Sequence, residues 1–91
     1  MPTPSDRPWF LWDMDVTEEE FRARLRHQDL DIRAQWQGRL LREARFEEVW
    51  QYVTLSELLE NWARIQRHLG RMRAFWEFLL KGWRDDGLIA P

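Results

Sequence analysis

Apolar side chains recur at alternating steps of three and four residues from residue 62 to residue 83, and this spacing constrains the fold more than any other feature. The positions are Trp62, Ile65, Leu69, Met72, Trp76, Leu79 and Trp83. Because an α-helix turns once every 3.6 residues, such positions share one side of a helix. Gly70 lies within the run, and glycine often ends a helix because it adopts positive φ without strain. We predict a helix break there; one continuous helix is the alternative.

Two capping signals mark where other helices begin. Thr17 with Glu20, and Thr54 with Glu57, have the spacing of a capping box, in which each side chain bonds the other residue's backbone N–H. The first opens a helix that we expect to end near His27. The second opens the helix that carries the first half of the long apolar run.

The segment between these helices predicts two more. Asp29 or Asp31 can cap a helix whose apolar side follows the same periodicity. That side consists of Ile32, Trp36, Leu40, Leu41 and Ala44. A change of phase near Arg45 indicates a break before a short helix that begins at Phe46. No window alternates with period two, so we predict an all-α fold, a compact single-domain bundle of four to five short helices.

The chain length limits this bundle to one small core. Ninety-one residues without cysteine must be stabilised by packing rather than by disulfides. Each of four tryptophans lies on an apolar side and is predicted in the core: Trp36, Trp50, Trp62 and Trp76. We expect residues 1–7 to form a flexible tail, residues 8–87 the helical domain, and residues 88–91 a C-terminal tail.

The sequence PWFLWDMD, residues 8–15, is predicted to form an extended aromatic arm ahead of the first helix. In an extended chain successive side chains point to opposite sides, so Trp9 and Leu11 would share one side. Phe10 and Trp12 would share the other. The arm therefore needs a groove, in its own domain or in a partner. We expect Trp12 to be structural, and Trp9 to be available to a partner or to a second copy of the chain.

The apolar runs are too short for a secretory signal or a membrane span. A signal peptide needs an apolar core of roughly 7 to 15 residues, and a transmembrane helix needs about 18 or more. The run in the arm has four such residues and leads into Asp13 and Asp15. We expect a cytoplasmic protein with no membrane partner.

Residues that could carry chemistry are few and scattered. His27 and His68 lie on different predicted helices, without the companions of a zinc site. Ser5 and Ser56 have no histidine nearby in sequence. The Asp-x-Asp pair at residues 13–15 could hold a divalent cation, but no phosphate-cradling loop accompanies it. We predict no enzymatic activity, no cofactor and no metal.

Charge is distributed unevenly along the chain. Residues 43–60 contain five glutamates against one arginine, a net charge of −4. Residues 62–84 contain six basic residues against one glutamate, a net charge of +5. Such asymmetry suggests an oriented partner or internal salt bridges.

Four arginines of the basic segment, with two residues of the arm, are the predicted partner-binding residues. They are Trp9, Phe10, Arg64, Arg67, Arg71 and Arg73. Arg71 and Arg73 stand at the start of the last predicted helix, where the macrodipole disfavours cations, so an anion is expected nearby. DNA phosphate, an acidic partner surface or the chain's own acidic segment could supply it. The face formed by Arg64, Arg67, His68 and Arg71 could equally be the solvent-exposed side of a helix.

A protein-binding module is our leading hypothesis for the function. The alternative is a DNA-binding regulator that uses the last two helices as a helix–turn–helix. The overall charge of −2 argues against a dedicated DNA-binding protein.

Three aromatic segments resemble a family of small helical bacterial proteins that are encoded beside nucleotidyltransferase-type toxins of abortive-infection and toxin–antitoxin systems. The segments are PWFLWDMD with TEEEF, RLLREARFEEVWQYVTLSELLENW, and RAFWEFLLKGW. The resemblance covers most of residues 8–84, although similar proteins often have proline before the last helix where this chain has Gly70. It implies a non-catalytic, antitoxin-like companion that binds a nucleotidyltransferase partner.

Overall fold

The periodic segments form helices in the computed structural model, which describes residues 8–89. The α-helices are Glu18–Arg24 (α1), Leu30–Glu43 (α2), Phe46–Val49 (α3), Leu55–Glu60 (α4), Trp62–Ile65 (α5) and Arg73–Asp85 (α6). Short 3-10 helices lie at Trp9–Leu11, Gln66–His68 and Gly70–Met72. The described residues contain no strand, so the all-α prediction is confirmed. The predicted tail at residues 1–7 and the end of the C-terminal tail lie outside the described residues.

Helices begin at the residues that carry the capping signals. Thr17 Oγ1 accepts a hydrogen bond from the Glu20 backbone N–H at 3.1 Å. Asp29 caps α2 by accepting from two backbone N–H groups of its first turn. Thr54 and Glu57 form a complete capping box at the start of α4. Each cap satisfies N–H groups that have no partner inside the helix, which explains why these starts were predictable.

The helix predicted from Thr54 to Leu69 is interrupted at Asn61. This residue is buried with φ −117° and ψ 15°, and its Nδ2 donates to the Leu30 carbonyl at 3.0 Å and to Gln37 Oε1 at 3.3 Å. A buried amide must be hydrogen-bonded, and its partners lie on α2. The apolar periodicity continues on both sides of Asn61, so the sequence pattern does not reveal the interruption.

The break predicted at Gly70 is confirmed. Gly70 has φ +52°, in the left-handed region that favours glycine. A short 3-10 helix follows, and α6 begins at Arg73. Arg42 Nη1 donates to the His68 carbonyl at 2.9 Å and thereby satisfies one carbonyl near the break. Gly87, where the predicted helical domain ends, follows the end of α6 at Asp85 and also has positive φ, +77°.

Helix α2 is the central helix of the domain. It contacts α1, α3, α5 and the two 3-10 helices that precede α6. At Gly38 the approach is so close that an added Cβ would lie 2.5 Å from the Cβ of His68. The core around α2 includes Phe21, Leu25, Leu40, Leu41, Ile65 and Leu69, all nearly inaccessible to solvent.

Of the four tryptophans predicted in the core, only Trp76 is fully buried, with 2% of its surface exposed. Its indole N–H donates to the Leu41 carbonyl at 3.0 Å. Trp36, Trp50 and Trp62 pack against the core but remain partly exposed. Large indole rings on the border of an apolar side reach past the core, and the Arg24 guanidinium covers the Trp36 ring at 4.7 Å.

The described residues form an elongated body of 48 × 26 × 21 Å. Only Trp76 and Leu80 of the thirteen residues in α6 are buried. Much of the surface of α6 therefore faces away from the domain. Within residues 8–89, no helix combines the length and the apolar character needed to cross a lipid bilayer.

Candidate interaction surfaces

The aromatic arm is a compact turn rather than an extended segment. Trp9–Leu11 form a 3-10 helix, and Met14 N–H donates to the Leu11 carbonyl at 2.9 Å. Side chains three residues apart in a 3-10 helix point to the same side, so Trp9 and Trp12 both face outward. Phe10 and Leu11 point into the core. The alternation expected of an extended arm is wrong, whereas the groove in its own domain is present. We call residues 8–14 the arm turn.

Phe10 belongs to the core. Its ring meets Phe21 at 5.4 Å and Tyr52 at 5.8 Å, both in edge-on geometry, and 1% of its surface is exposed. The predicted role of Phe10 as a partner contact is therefore corrected. In the observed turn it anchors the arm, because the 3-10 conformation turns it to the side opposite the outward tryptophans.

Trp9 is half exposed and is held in a fixed orientation by α3. Its indole N–H lies 2.8 and 3.0 Å from the two carboxylate oxygens of Glu48. The Arg45 guanidinium lies 5.6 Å from the centre of its ring. The indole is thus oriented by the protein's own residues, with 53% of its surface still exposed.

Trp12 is more exposed than Trp9, with 79% of its surface in solvent. The expectation that Trp12 would be the structural tryptophan is wrong, because Leu11 and Phe10 fix the turn instead. The next residue, Asp13, forms an ion pair with Arg39, which also donates to the Phe10 carbonyl at 3.1 Å. The hydrogen bond from Arg39 lowers the pKa of Asp13 below its ordinary value of 3.8. Arg39 thereby fastens the backbone of the turn to α2.

Charged side chains lie around the arm turn. Tyr52, whose ring packs against Phe10, has a raised pKa, first because of burial and then because of the nearby Glu18 carboxylate. Glu48 raises the pKa of Tyr52 as well, and Glu47 beside it is exposed. Arg45 over the Trp9 ring and Arg22 over the Tyr52 ring balance these carboxylates, so the surroundings of the turn carry charges of both signs.

The four predicted arginines divide into paired and unpaired residues. Arg64 Nε lies 3.2 Å from an Asp31 carboxylate oxygen on α2. Arg73 Nε lies 2.7 Å from Glu77 one turn later, which offsets the unfavourable position of a cation at the start of α6. Arg67 and Arg71 are exposed and form no ion pair within residues 8–89.

A second exposed aromatic surface lies on α6, and the sequence reading did not single it out. It consists of Phe75, Phe78 and Gly82, with Leu79 at its border, where that side chain is partly buried against the core, and we call it the α6 face. Phe75 is 43% exposed and Phe78 is 74% exposed. The width of the apolar side could have revealed it, because the apolar residues of α6 cover more of the helix circumference than one core-facing side requires.

Neighbouring aromatic rings of α3 and of the residue after it pack against α6 next to the α6 face. Phe46 of α3 lies 6.4 Å from Phe75 and 5.8 Å from Trp76, measured between ring centres. Trp50 lies 6.0 Å from Trp76 and 6.2 Å from Trp83. This ring cluster joins the buried side of α6 to its exposed side and restrains both.

An open cleft of about 260 Å³ lies between α2 and the arm turn. It is lined by Met14, Gln35, Trp36, Arg39, Arg42 and His68. Both arginines are already bound: Arg39 to Asp13, and Arg42 to Glu43 at 3.0 Å and to the His68 carbonyl. The cations of this cleft serve the fold, and we assign it no ligand.

Comparison with known proteins gives no further guide to function, because no family model, curated protein or solved structure matches the chain. The resemblance to toxin-associated proteins therefore stays a prediction from the sequence motifs. Within residues 8–89, no group of three or more histidine, aspartate or glutamate side chains could hold a metal ion.

Proposed function

We propose that the protein is a non-catalytic protein-binding module whose arm turn inserts Trp12 into a pocket of its partner, with Trp9 beside it. The observation that carries the proposal is the 79% exposure of Trp12 on a turn that Phe10 and Leu11 anchor in the core. Tryptophan is enriched among the residues that dominate binding energy at protein interfaces. An indole in water adds nothing to the fold, whereas the same ring in a partner's pocket stabilises a complex.

The rigidity of the arm turn supports this proposal. Phe10 and Leu11 fix the turn in the core, Arg39 fixes its backbone, and Glu48 orients Trp9. Binding is weakened when loops and side chains must first be ordered. A turn that is already ordered avoids most of that loss.

The side chains around the turn indicate the chemistry of the partner surface. Glu48 and Arg45 both reach Trp9, so charges of both signs border the exposed indoles, and the complementary surface is an apolar pocket with polar groups at its edge. On the resemblance of its sequence motifs, a nucleotidyltransferase-type toxin is the partner we propose, and the role of this chain is antitoxin-like.

The test is the affinity of the purified chain for the nucleotidyltransferase encoded nearest to it, measured by titration calorimetry. We expect Trp12→Ser to leave the melting temperature within about 2 °C of the parent, because the side chain is exposed, and to weaken binding about thirtyfold, or 2 kcal/mol. Leu88→Ser is the matched control, since Leu88 is also a highly exposed apolar residue. It should leave the affinity unchanged.

Two results would contradict the proposal. Binding that survives Trp12→Ser unchanged would remove the arm turn from the interface. No binding to the nucleotidyltransferase at all would remove that class of partner, and host proteins that co-purify with the parent chain but not with Trp12→Ser would then name the true partner.

DNA binding is the second candidate, and the exposed, unpaired Arg67 and Arg71 favour it. Two cations neutralise about two phosphates, so affinity for duplex DNA should fall with salt with a log–log slope of about −2. A salt series with duplex from the chain's own promoter measures this slope. Tight binding with a slope close to −2 would favour the DNA-binding regulator over the protein-binding module, and no detectable binding at low salt would dismiss it.

A further inference from the structure

Gly82 is an unexplained residue in the interior of α6. Glycine destabilises a helix relative to alanine, so its presence needs a reason. The backbone gives none, because positive φ among the described glycines occurs only at Gly70 and Gly87. Packing gives none either: a Cβ at Gly82 would meet nothing within 4 Å, whereas one at Gly38 would collide with His68. The fold of one chain does not require glycine at this position.

The α6 face is complementary to itself when two copies run antiparallel. Phe75, Phe78 and Gly82 are spaced at steps of three and four, and therefore share one side of the helix. A twofold axis between Phe78 and Leu79 would place Phe78 of each copy against Leu79 of the other. The same axis places Phe75 of each copy over Gly82 of the other, where the missing side chain leaves room for a ring.

The charges at the two ends of α6 favour the same arrangement. Arg71 precedes the helix and Asp86 follows it; both are exposed, and neither forms an ion pair within residues 8–89. Their neighbours are engaged, since Arg73 pairs with Glu77 and Lys81 Nζ lies 2.8 Å from Asp85. A positive charge at the start of a helix and a negative charge at its end both oppose the helix macrodipole. The twofold axis that pairs Phe75 with Gly82 brings Arg71 of each copy to Asp86 of the other.

From these observations we propose that the α6 face is the interface of an antiparallel homodimer. The occupant is a second copy of this chain, because a single twofold rotation covers the exposed rings, fills the space at the glycine and pairs both end charges. A parallel pair would instead bring like charges together at each end. The dimer interface uses residues other than those of the arm turn. A test of the dimer is therefore independent of a test of the proposed partner.

Sedimentation equilibrium measures the dimer directly. One 13-residue helix from each copy makes a small contact, so we expect a dissociation constant in the micromolar range. A parent chain that stays monomeric at roughly 1 mM would overturn the proposal and leave the α6 face to a different protein.

Gly82→Ala separates the dimer from the fold, because the two respond in opposite directions. Alanine favours the helix and meets nothing in its own chain, so the melting temperature of the dilute monomer should rise by roughly 2 to 8 °C. The added methyl group occupies the space of the incoming Phe75 ring, so the dimer dissociation constant should rise at least tenfold. A dimer unaffected by Gly82→Ala would overturn the proposed contact.

Charge reversal tests the antiparallel arrangement. Arg71→Asp and Asp86→Arg should each weaken the homodimer at least tenfold, because each places like charges together. Mixed in equal amounts, the two variants should form a heterodimer, since both end pairs are then again of opposite charge. Arg84→Asp is the control: it is the same kind of change on α6 away from the face, and it should leave the dissociation constant unchanged. A mixture that does not associate would overturn the arrangement.

Discussion

At the scale of single residues, the tryptophans differ more in their surroundings than in their sequence pattern. Trp76 is buried and donates to the Leu41 carbonyl, whereas Trp62 lies on the same apolar run and stays partly exposed. Periodicity places a residue on the correct side of a helix. It does not say how far along that side the neighbouring helix extends, and burial depends on that extent.

We expect truncation of these two tryptophans to lower the free energy of unfolding by different amounts. Trp76→Ala should lower the free energy of unfolding by roughly 3 to 5 kcal/mol, because it empties a large buried volume and leaves the Leu41 carbonyl without its donor. Trp62→Ala should cost less, since part of that ring already contacts water. Urea unfolding of both variants measures the difference, and equal losses would contradict it.

Asp13 gives a prediction for pH. The hydrogen bond from Arg39 lowers the pKa of Asp13 in the folded chain, so the ionised carboxylate is favoured there. Its stabilising contribution is therefore complete above the unfolded pKa and is lost as the pH falls through the folded value. The parent should have a higher free energy of unfolding than Asp13→Asn by an amount that is constant from about pH 7 to about pH 5. This excess should decrease below about pH 4. Denaturant unfolding at each pH tests this, and a difference that grows on acidification would contradict it.

At the scale of the helices, local signals were predictable from sequence and contacts between helices were not. Thr17 begins α1 and Gly70 adopts positive φ as expected, because a cap or a left-handed residue needs only its immediate neighbours. The interruption at Asn61 depends on Leu30 and Gln37, which are distant in sequence. Trp12 points outward because the chain forms a 3-10 turn there, and that turn is stabilised by the burial of Phe10 in the core.

The two helical glycines should respond oppositely to alanine. At Gly38 the new Cβ would lie 2.5 Å from His68, so α2 must move away and the chain should lose about 1 to 3 kcal/mol of stability. At Gly82 the space is open, and the monomer should gain about 0.5 to 1 kcal/mol. Thermal unfolding of both variants at low protein concentration measures these two changes in stability. A gain at Gly38 would mean that α2 and the His68 segment pack less closely than described.

At the scale of the whole molecule, the proposed role of the arm turn links partner binding to stability. Phe10 anchors the turn from inside while Trp12 projects from it. We expect Phe10→Ala to lower the free energy of unfolding by roughly 3 to 5 kcal/mol and to weaken partner binding as well. Trp12→Ser should weaken binding alone. Calorimetry and urea unfolding on both variants separate the two effects, and a fully stable Phe10→Ala chain would contradict the anchoring role.

The arm turn depends on a part of the chain that is distant in sequence. Phe10 and Trp12 are synthesised before Tyr52, whose ring helps to hold Phe10 in place and lies about forty residues later. On the proposed function, a chain truncated before Tyr52 should fail to bind the partner, because the turn that orients the two outward indoles lacks part of its core contact.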